Sequence, residues 1–378
     1  MSLRICWLVI SMTSKPQFGG EKVKLSDLCS KGKSSLRQKD LLNDGPYLVY
    51  GASGVIGTMS CYQNEEPYVA VVKDGAGVGR VMACKGKSSV LGTMQALLPS
   101  KNVDLNYLLH LVRSLKLGDD FSGSTIPHIY FRDYGEREVP AIAIKQQIMI
   151  AGVLDKIEMM LARLDMTLKK QDQLVKSRFV EMFGDIDEWH SANMSEVCSI
   201  ITDGTHQPPK FVSEGIPFLF VSNIAGNVLT YETTKYVSEA DYEILIKRTP
   251  IEVGDVLVSA VGSFGHPAVV RRSRPFCFQR HIAYLKPKRE LIDSDYLHAV
   301  LLTDKAQRYM DKVAKGVAQR TVTLKSFKEM MIPLPPLELQ QEFADFVAQV
   351  DKSGFAVRKQ IKKLQLLYDS LAQEYFGD

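Results

Sequence analysis

The sequence predicts an α+β chain with an internal repeat: two mainly-β globular units, each followed by a long helix, the two helices pairing antiparallel as a coiled-coil spacer. Three observations predict this. Residues 139–185 and 332–378 are two copies of one 47-residue segment, aligned without a gap at an offset of 193. Both copies carry an apolar stripe of helical period. The sequence before each copy is made of short β-branched runs separated by Gly-rich turns, and it too repeats, more loosely.

The segment copies share Gln147 with Gln340, Ala151 with Ala344, Lys169-Lys170 with Lys362-Lys363, and the ends Phe183-Gly184-Asp185 with Phe376-Gly377-Asp378. A stripe runs through Ile150, Leu154, Ile157, Leu161, Leu164, Leu168, Gln171, Val175, Arg178 and Met182. Its counterpart runs through Phe343, Val347, Val350, Gly354, Val357, Ile361, Leu364, Tyr368, Leu371 and Tyr375. Steps of four and three over more than four heptads make a coiled-coil seam, about 50 Å long at 1.5 Å per residue. The residues expected to pack the spacer are Leu154, Ile157, Leu161, Leu164 and Leu168 against Val347, Val350, Val357, Ile361 and Leu364. Two copies of one surface pair most simply about a two-fold axis, which can make the helices antiparallel.

In the globular units, Tyr68–Val72, Asp255–Ser259 and Pro267–Val270 read as strands, Asp74–Gly79 and Val261–Gly265 as turns. Helices are expected at Leu105–Leu115 and Ser294–Met310. Leu25–Ser30 matches Met194–Ser199 at an offset of 169 and Pro46-Tyr47-Leu48 matches Pro217-Phe218-Leu219 at 171. Ala96–Leu98 resembles Ala283–Leu285 at 187, Tyr107-Leu108 matches Tyr296-Leu297 at 189, and Glu136 matches Glu329 at 193. The offsets only rise, as insertions require, so the second half is the longer by 24 residues.

A chain of 378 residues can build two cores. Hydrophobic content of 45% and charged content of 24% exclude a disordered chain, and no apolar run is long enough to cross a bilayer. Leu3–Ile10 is apolar but lacks a signal-peptide core and cleavage site, and Met12 is an alternative start. Cys6, Cys29, Cys61, Cys84, Cys198 and Cys277 show no C-x-x-C spacing and read as reduced thiols of a cytoplasmic protein.

The net charge is only +4, but it is concentrated. Residues 22–39 carry a net +5 and residues 247–289 a net +7, the latter including Arg271, Arg272, Arg274, Arg280, Lys286, Lys288 and Arg289. Such clusters suit a phosphate backbone, and nearby Arg, Gln and Asn suit base edges. A solvated basic face is the alternative. The tempting enzyme motifs fail. Lys-Gly-Lys-Ser-Ser at 31–35 and 85–89 lacks the upstream glycine of a P-loop, since Asp27 and Val81 stand there. Gly75–Gly79 lacks dinucleotide-loop spacing. Asp203-Gly204-Thr205-His206 has no second ligand at metal spacing and reads as a loop that orders near DNA. The chain carries no Asn-Pro-Pro-Tyr of an amino-methyltransferase, no nuclease carboxylate–lysine cluster and no nucleophile elbow.

Two globular units with matching helices resemble the specificity subunit of a type I restriction-modification system, over roughly residues 21–378. The residues that carry the resemblance are Tyr50–Gly54 and Asp74–Gly77 in the first unit. In the second they are Ile201–His206, Gly215–Leu219, Pro333–Leu337 and Gln340-Gln341. The first helix departs from the last motif, having Val139-Pro140-Ala141-Ile142 and no double proline, which leaves its start open. The resemblance implies an N-terminal extension at 1–20, target-recognition domains at 21–138 and 186–331, and spacer helices at 139–185 and 332–378. It implies that each domain reads one half of a split double-stranded DNA target. It also implies two methyltransferase (modification) subunits bringing S-adenosylmethionine, and motor-endonuclease (restriction) subunits using ATP and Mg. No cofactor or metal is then bound by this chain, which is not itself an enzyme and contacts no membrane. The candidate DNA-binding residues are Lys31, Lys33, Arg37, Ser53, Lys73, Arg80, Lys85, Lys87, Thr125 and His128 in the first domain. In the second they are Thr205, His206, Gln207, Lys210, Asn223, Arg271, Arg272, Gln279, Arg280, Gln319 and Arg320.

Two other readings compete. A coiled-coil scaffold would bind proteins but no DNA, and a cryptic single-chain methyltransferase would transfer methyl groups alone.

Overall fold

The computed structural model describes residues 21–377 except 43, 120, 122–126, 187 and 318; the extension 1–20 and Thr125 lie outside the described residues. Two units emerge: residues up to Met166 together with those from Arg358 onward, and Thr167–Val357. Each long helix thus gives one half to each unit.

In the first unit β1 (Lys22–Lys24), the single turn α1 (Leu25–Leu28) and β2 (Cys29–Lys31) open the chain. They are followed by β3 (Tyr47–Gly51), β4 (Gly54–Met59), β5 (Tyr68–Val72), β6 (Val81–Cys84), β7 (Ser89–Val90) and β8 (Met94–Pro99). Then come α2 (Leu105–Ser114), the turn α3 (Phe131–Tyr134), β9 (Glu138–Pro140) and the long helix α4 (Ile144–Phe183). Strands order as β2-β8-β5-β6, as β4-β3-β7, and as the pair β1-β9. The strand β5 is buried along its whole length, each valine there contributing about 1.5–3 kcal/mol. The Asp74–Gly79 segment is indeed the turn of the β5–β6 hairpin, with Gly75 and Gly79 at φ of 90° and 82°.

The second unit repeats this plan. It runs β10 (Ser191–Asn193), α5 (Met194–Val197), β11 (Cys198–Asp203), β12 (Ile216–Leu219), β13 (Tyr236–Val237) and α6 (Glu239–Leu245). It continues with β14 (Val256–Ser259), β15 (Pro267–Val269), β16 (Cys277–Phe278), β17 (Ile282–Pro287), α7 (Ser294–Leu301), α8 (Asp304–Val313), α9 (Leu324–Lys328), β18 (Met331–Pro333) and the long helix α10 (Leu337–Phe376). The sheets are β11-β17-β14-β15, β13-β12-β16 and β10-β18. Most of the extra length lies between β12 and β14, where α6 is added, while β13 takes the place that β4 holds in the first unit.

Two expectations need correction. The helix expected over Ser294–Met310 is two helices, because the Thr303 hydroxyl caps α8 by accepting the Ala306 N–H at 3.3 Å. The 171 offset is also wrong. The parallel pairing sets Val49 against Ser89 and Phe218 against Cys277, which equates Val49 with Phe218 at an offset of 169. A two-residue slip keeps every side chain on its face, so the apolar pattern could not detect it.

Both long helices start at the same place in the repeat, Ile144 and Leu337, although only the second follows a double proline. In each half the stripe is the less exposed side. From Ile157 to Met182 and from Phe343 to Tyr375 the stripe positions are buried or half-buried, while most of their neighbours are exposed. The helix halves run antiparallel in the second unit, where Arg178 bonds Glu342 and Gln171 bonds Ser353. There Phe179 and Phe183 pack both on Tyr296 of α7 and on Phe343, with Phe183 and Tyr296 ring centroids 4.8 Å apart. In the first unit Ile150, Ala151, Leu154 and Phe376 share a core with Tyr107 and Leu108 of α2.

Candidate nucleic-acid interface

In each unit one end of the four-stranded sheet carries a rim of loops held by the same set of backbone bonds. In the second unit the Arg280 N–H donates to Thr205 O at 3.0 Å, Ala260 N–H to His281 O at 2.8 Å, Gly262 N–H to Arg320 O at 2.9 Å and Val322 N–H to Ala260 O at 2.8 Å. In the first unit the same four bonds run from Gly92 to Leu36 at 2.7 Å, Lys73 to Thr93 at 3.0 Å, Gly75 to Pro127 at 3.1 Å and Ile129 to Lys73 at 3.0 Å. Isolated bridges repeat as well: Leu36 with Leu91 and Thr205 with Gln279, then Asp74 with His128 and Val261 with Thr321. The two units therefore hold different side chains on one scaffold.

Gly204 shows how tight this rim is. A Cβ there would lie 2.2 Å from Phe278 O and 2.5 Å from Gln279 O, so only glycine lets β11 pass the Gln279 turn. The motif Asp203-Gly204-Thr205-His206 was the visible signal for it. His206 bonds Asp203 at 3.1 Å, and Arg248, a residue not anticipated, pairs with the same carboxylate. His281 is shifted below the ordinary imidazole value by burial and by Arg280 beside it, which favours its neutral form.

The rim brings together Thr205, His206, Gln279, Arg280, Gln319 and Arg320 in the second unit. Gln207 follows through its carbonyl, which accepts from the Thr205 hydroxyl at 3.0 Å, and Lys210 is exposed in the same loop. Arg320 is engaged by Asp311 at 2.7 Å and lies over the Phe264 ring. In the first unit the rim holds Lys73, Arg80 and His128, whose Nδ1 bonds Asp74 at 2.7 Å. Ser53 joins it on the β3–β4 turn, beside which Ala52 approaches Gly77. Arg37 adjoins Leu36 and pairs with Asp40 at 3.5 Å. Lys31 lies over the Phe131 ring, and Lys33 is tied through its backbone to Asn64 at 3.0 Å.

Several candidates are placed elsewhere. Arg271 and Arg272 follow β15 at the opposite end of the sheet, since Val269 pairs with Val256 there and Pro267 with Val258 at the rim end. Arg271 pairs with Asp295 of α7 and, at 3.0 Å, with Asp351 of α10. Arg272 lies over Phe355. Both cations are spent on packing the helices. Asn223 is only 5% exposed. Its Oδ1 accepts from Phe220 N at 2.9 Å and its Nδ2 donates to Glu232 O at 2.8 Å, so the amide holds its own turn. Lys85 and Lys87 sit beyond the far end of β6, where Cys84 pairs with Tyr68 and Lys87 pairs with Glu65 at 3.7 Å.

Among the described residues, His110, Asp155 and Glu158 are the grouping of His and carboxylates at metal-ligand spacing. Their atoms have other partners. His110 Nδ1 bonds the Tyr368 hydroxyl and Nε2 bonds Asp155, each at 2.8 Å, while Arg113 pairs with Glu158. The network joins α2 to the two long helices. No described helix is long and apolar enough to cross a membrane.

The family model for the type I restriction modification DNA specificity domain matches residues 19–171 and 186–365. The EcoBI specificity subunit of a type I restriction enzyme from Escherichia coli is 22% identical over 285 residues, 67% of this chain and 59% of that protein, so the match leaves about four tenths of that relative uncovered. The MjaVIII specificity subunit from Methanocaldococcus jannaschii is 22% identical over 391 residues, 91% of this chain and 89% of its own length. The crystal structure of the S subunit of a Type-I restriction-modification system from M. genitalium has the same fold, with a TM-score of 0.59 and 16% identity over 97% of this chain and 98% of that one. With the model matched twice, once on each repeated half, the chain belongs to the type I restriction modification DNA specificity family.

Proposed function

We propose that each loop rim reads one half of a bipartite double-stranded DNA target and that the long helices set the gap between the halves. The observation that carries this reading is the repeated rim, one backbone scaffold bearing two different sets of side chains. In this reading the chain has no catalysis of its own and works in the cytoplasm. Two modification subunits carrying S-adenosylmethionine supply methyl transfer, and motor-endonuclease subunits using ATP and Mg supply cleavage. Support for a non-catalytic role is the engagement of the His110 network in packing and the absence of a methyltransferase motif in the sequence.

The test is an exchange of residues 190–331 for the matching region of a relative, followed by mapping of methylated adenines in cells that also express the modification subunits. One half of the recognised sequence changes and the other stays. A change in both halves, or in neither, overturns the assignment of one half-site to each unit.

A further inference from the structure

We propose that Arg280 specifies one base pair of the second unit's half-site, and that position 92 is the matching place in the first unit, left without a reader by Gly92. The inference rests on the DNA-reading role of the rims and names the residue through which one of them acts.

Most arginines of the basic stretch are engaged within the unit. Arg248 pairs with Asp203, Arg271 with Asp295 and Asp351, Arg272 and Arg274 lie over Phe355 and Tyr231, and Arg289 donates to Val253 O. Of these arginines Arg280 alone has no side-chain partner among the described residues. Its backbone, by contrast, is fixed on every side. Gln279 N–H donates to Leu219 O at 3.1 Å, Arg280 N–H to Thr205 O at 3.0 Å, and Ile282 N–H closes the turn on Gln279 O at 3.1 Å. An exposed, unengaged guanidinium carried on a rigid turn is available for the bidentate contact that arginine makes to guanine O6 and N7.

The equivalent turn in the first unit is Leu91-Gly92-Thr93, pinned by the same bonds to Tyr50 O and Leu36 O. Gly92 needs no special backbone, and a Cβ there would meet Leu36 O at 3.3 Å and nothing closer. A side chain at 92 therefore needs Leu36 O to give by a few tenths of an ångström, in a turn whose counterpart carries Arg280. In the first unit the exposed guanidinium of Arg80 stands instead on the β5–β6 hairpin, at the place His266 takes in the second. Arg80 and Arg280 thus stand on non-equivalent loops.

The experiment uses the chain assembled with its modification subunits and a library of random double-stranded DNA, read by methylation. Wild type must first return two half-sites separated by an unspecified gap; if it does not, the rim reading itself fails. Given that result, Arg280→Gly relaxes one position of one half-site, by about ten- to a hundredfold in preference, and leaves the other half-site intact. Arg280→Lys keeps the charge but not the fork, and relaxes the same position while affinity falls less. A uniform loss across all sequences marks a phosphate contact and overturns the proposal, as does an unchanged half-site. Gly92→Arg, in a protein that melts as wild type does, adds a specified position to the other half-site; an unchanged sequence there overturns the second part. Should Gly92→Arg fail to fold, the Arg280 variants still decide the first part and Gly92→Ser, a smaller side chain able to accept or donate one bond, decides the second.

Discussion

Gln340 Oε1 accepts the backbone N–H of Asp293 at 2.9 Å, and its Nε2 donates to Pro335 O at 2.9 Å. Gln147 makes the same two bonds in the first unit, to Asp104 N at 2.9 Å and Ile142 O at 2.7 Å. Each glutamine, almost wholly buried, ties the start of its long helix to the cap of α2 or α7.

Replacing either glutamine orphans buried backbone groups. Gln340→Ala is expected to destabilise the second unit by about 1–3 kcal/mol for each group left unpaired. For a domain of this size that lowers the melting temperature by several degrees, about 2–4 °C per kcal/mol. Calorimetry of the variant checks it; a melt within one degree of wild type refutes it.

Gly204→Ala should damage recognition more than its size suggests. The added methyl clashes with Phe278 O and Gln279 O, so β11 must leave the Gln279 turn and take Thr205 with it. Binding at the second half-site is expected to weaken at least tenfold while the first half-site is still read. Competition assays on oligonucleotides altered in one half separate the two effects.

Acid should loosen the second unit through His298. Burial, first among its causes, lowers the folded imidazole below its ordinary value of 6.5, although bonds to Asn227 O and Pro267 O and the nearby Asp295 pull the other way. The unfolded chain therefore takes up a proton first as pH falls. The stability tied to the neutral ring is complete above about pH 6.5 and is lost as pH drops from there toward the lowered folded value. Urea unfolding between pH 7.5 and 5.5 should show a decline that is shallower in His298→Gln. Equal slopes in the two proteins would count against it.

The helix pair offers a geometric test. One heptad added to each long helix, at positions that face each other in the pair, keeps the stripe in register and adds about 10 Å. The unspecified gap of the target should lengthen by about one to three base pairs, at 3.4 Å per pair. The half-site sequences should stay as they were. An active variant with the original gap would show that the helices do not set it.

Much of this architecture was legible because it is periodic. The stripes from Ile150 and Phe343 are apolar at the positions the helices bury, and Gln147 and Gln340 stand out because one chemical task recurs at one offset. The rim was harder to read. Charge density drew Arg271, Arg272 and Arg280 together, yet β15 carries the first two to the far end of the sheet and only the β16–β17 turn carries Arg280 to the rim. Composition cannot say which end of a strand a residue occupies. Asn223 was misplaced for a related reason, since an amide suited to adenine is equally suited to closing its own turn.

The two clamps on the helices differ in how freely their halves can be shuffled. In the second unit Tyr296 packs on the rings of Phe179 and Phe183, which also pack on Phe343, a greasy socket that any incoming domain with an aromatic at that place can fill. The half-exposed Arg271–Asp351 pair beside it is screened by water and adds little. In the first unit His110 must find Asp155 and Tyr368 with its two nitrogens. A crossover that brings in a foreign α2 but keeps the resident helices leaves a carboxylate and a phenol without their mate. Mosaics of this chain should therefore tolerate strangers on the second side more readily than on the first, where viable junctions fall ahead of Leu105 or carry the helix residues along as part of the inheritance.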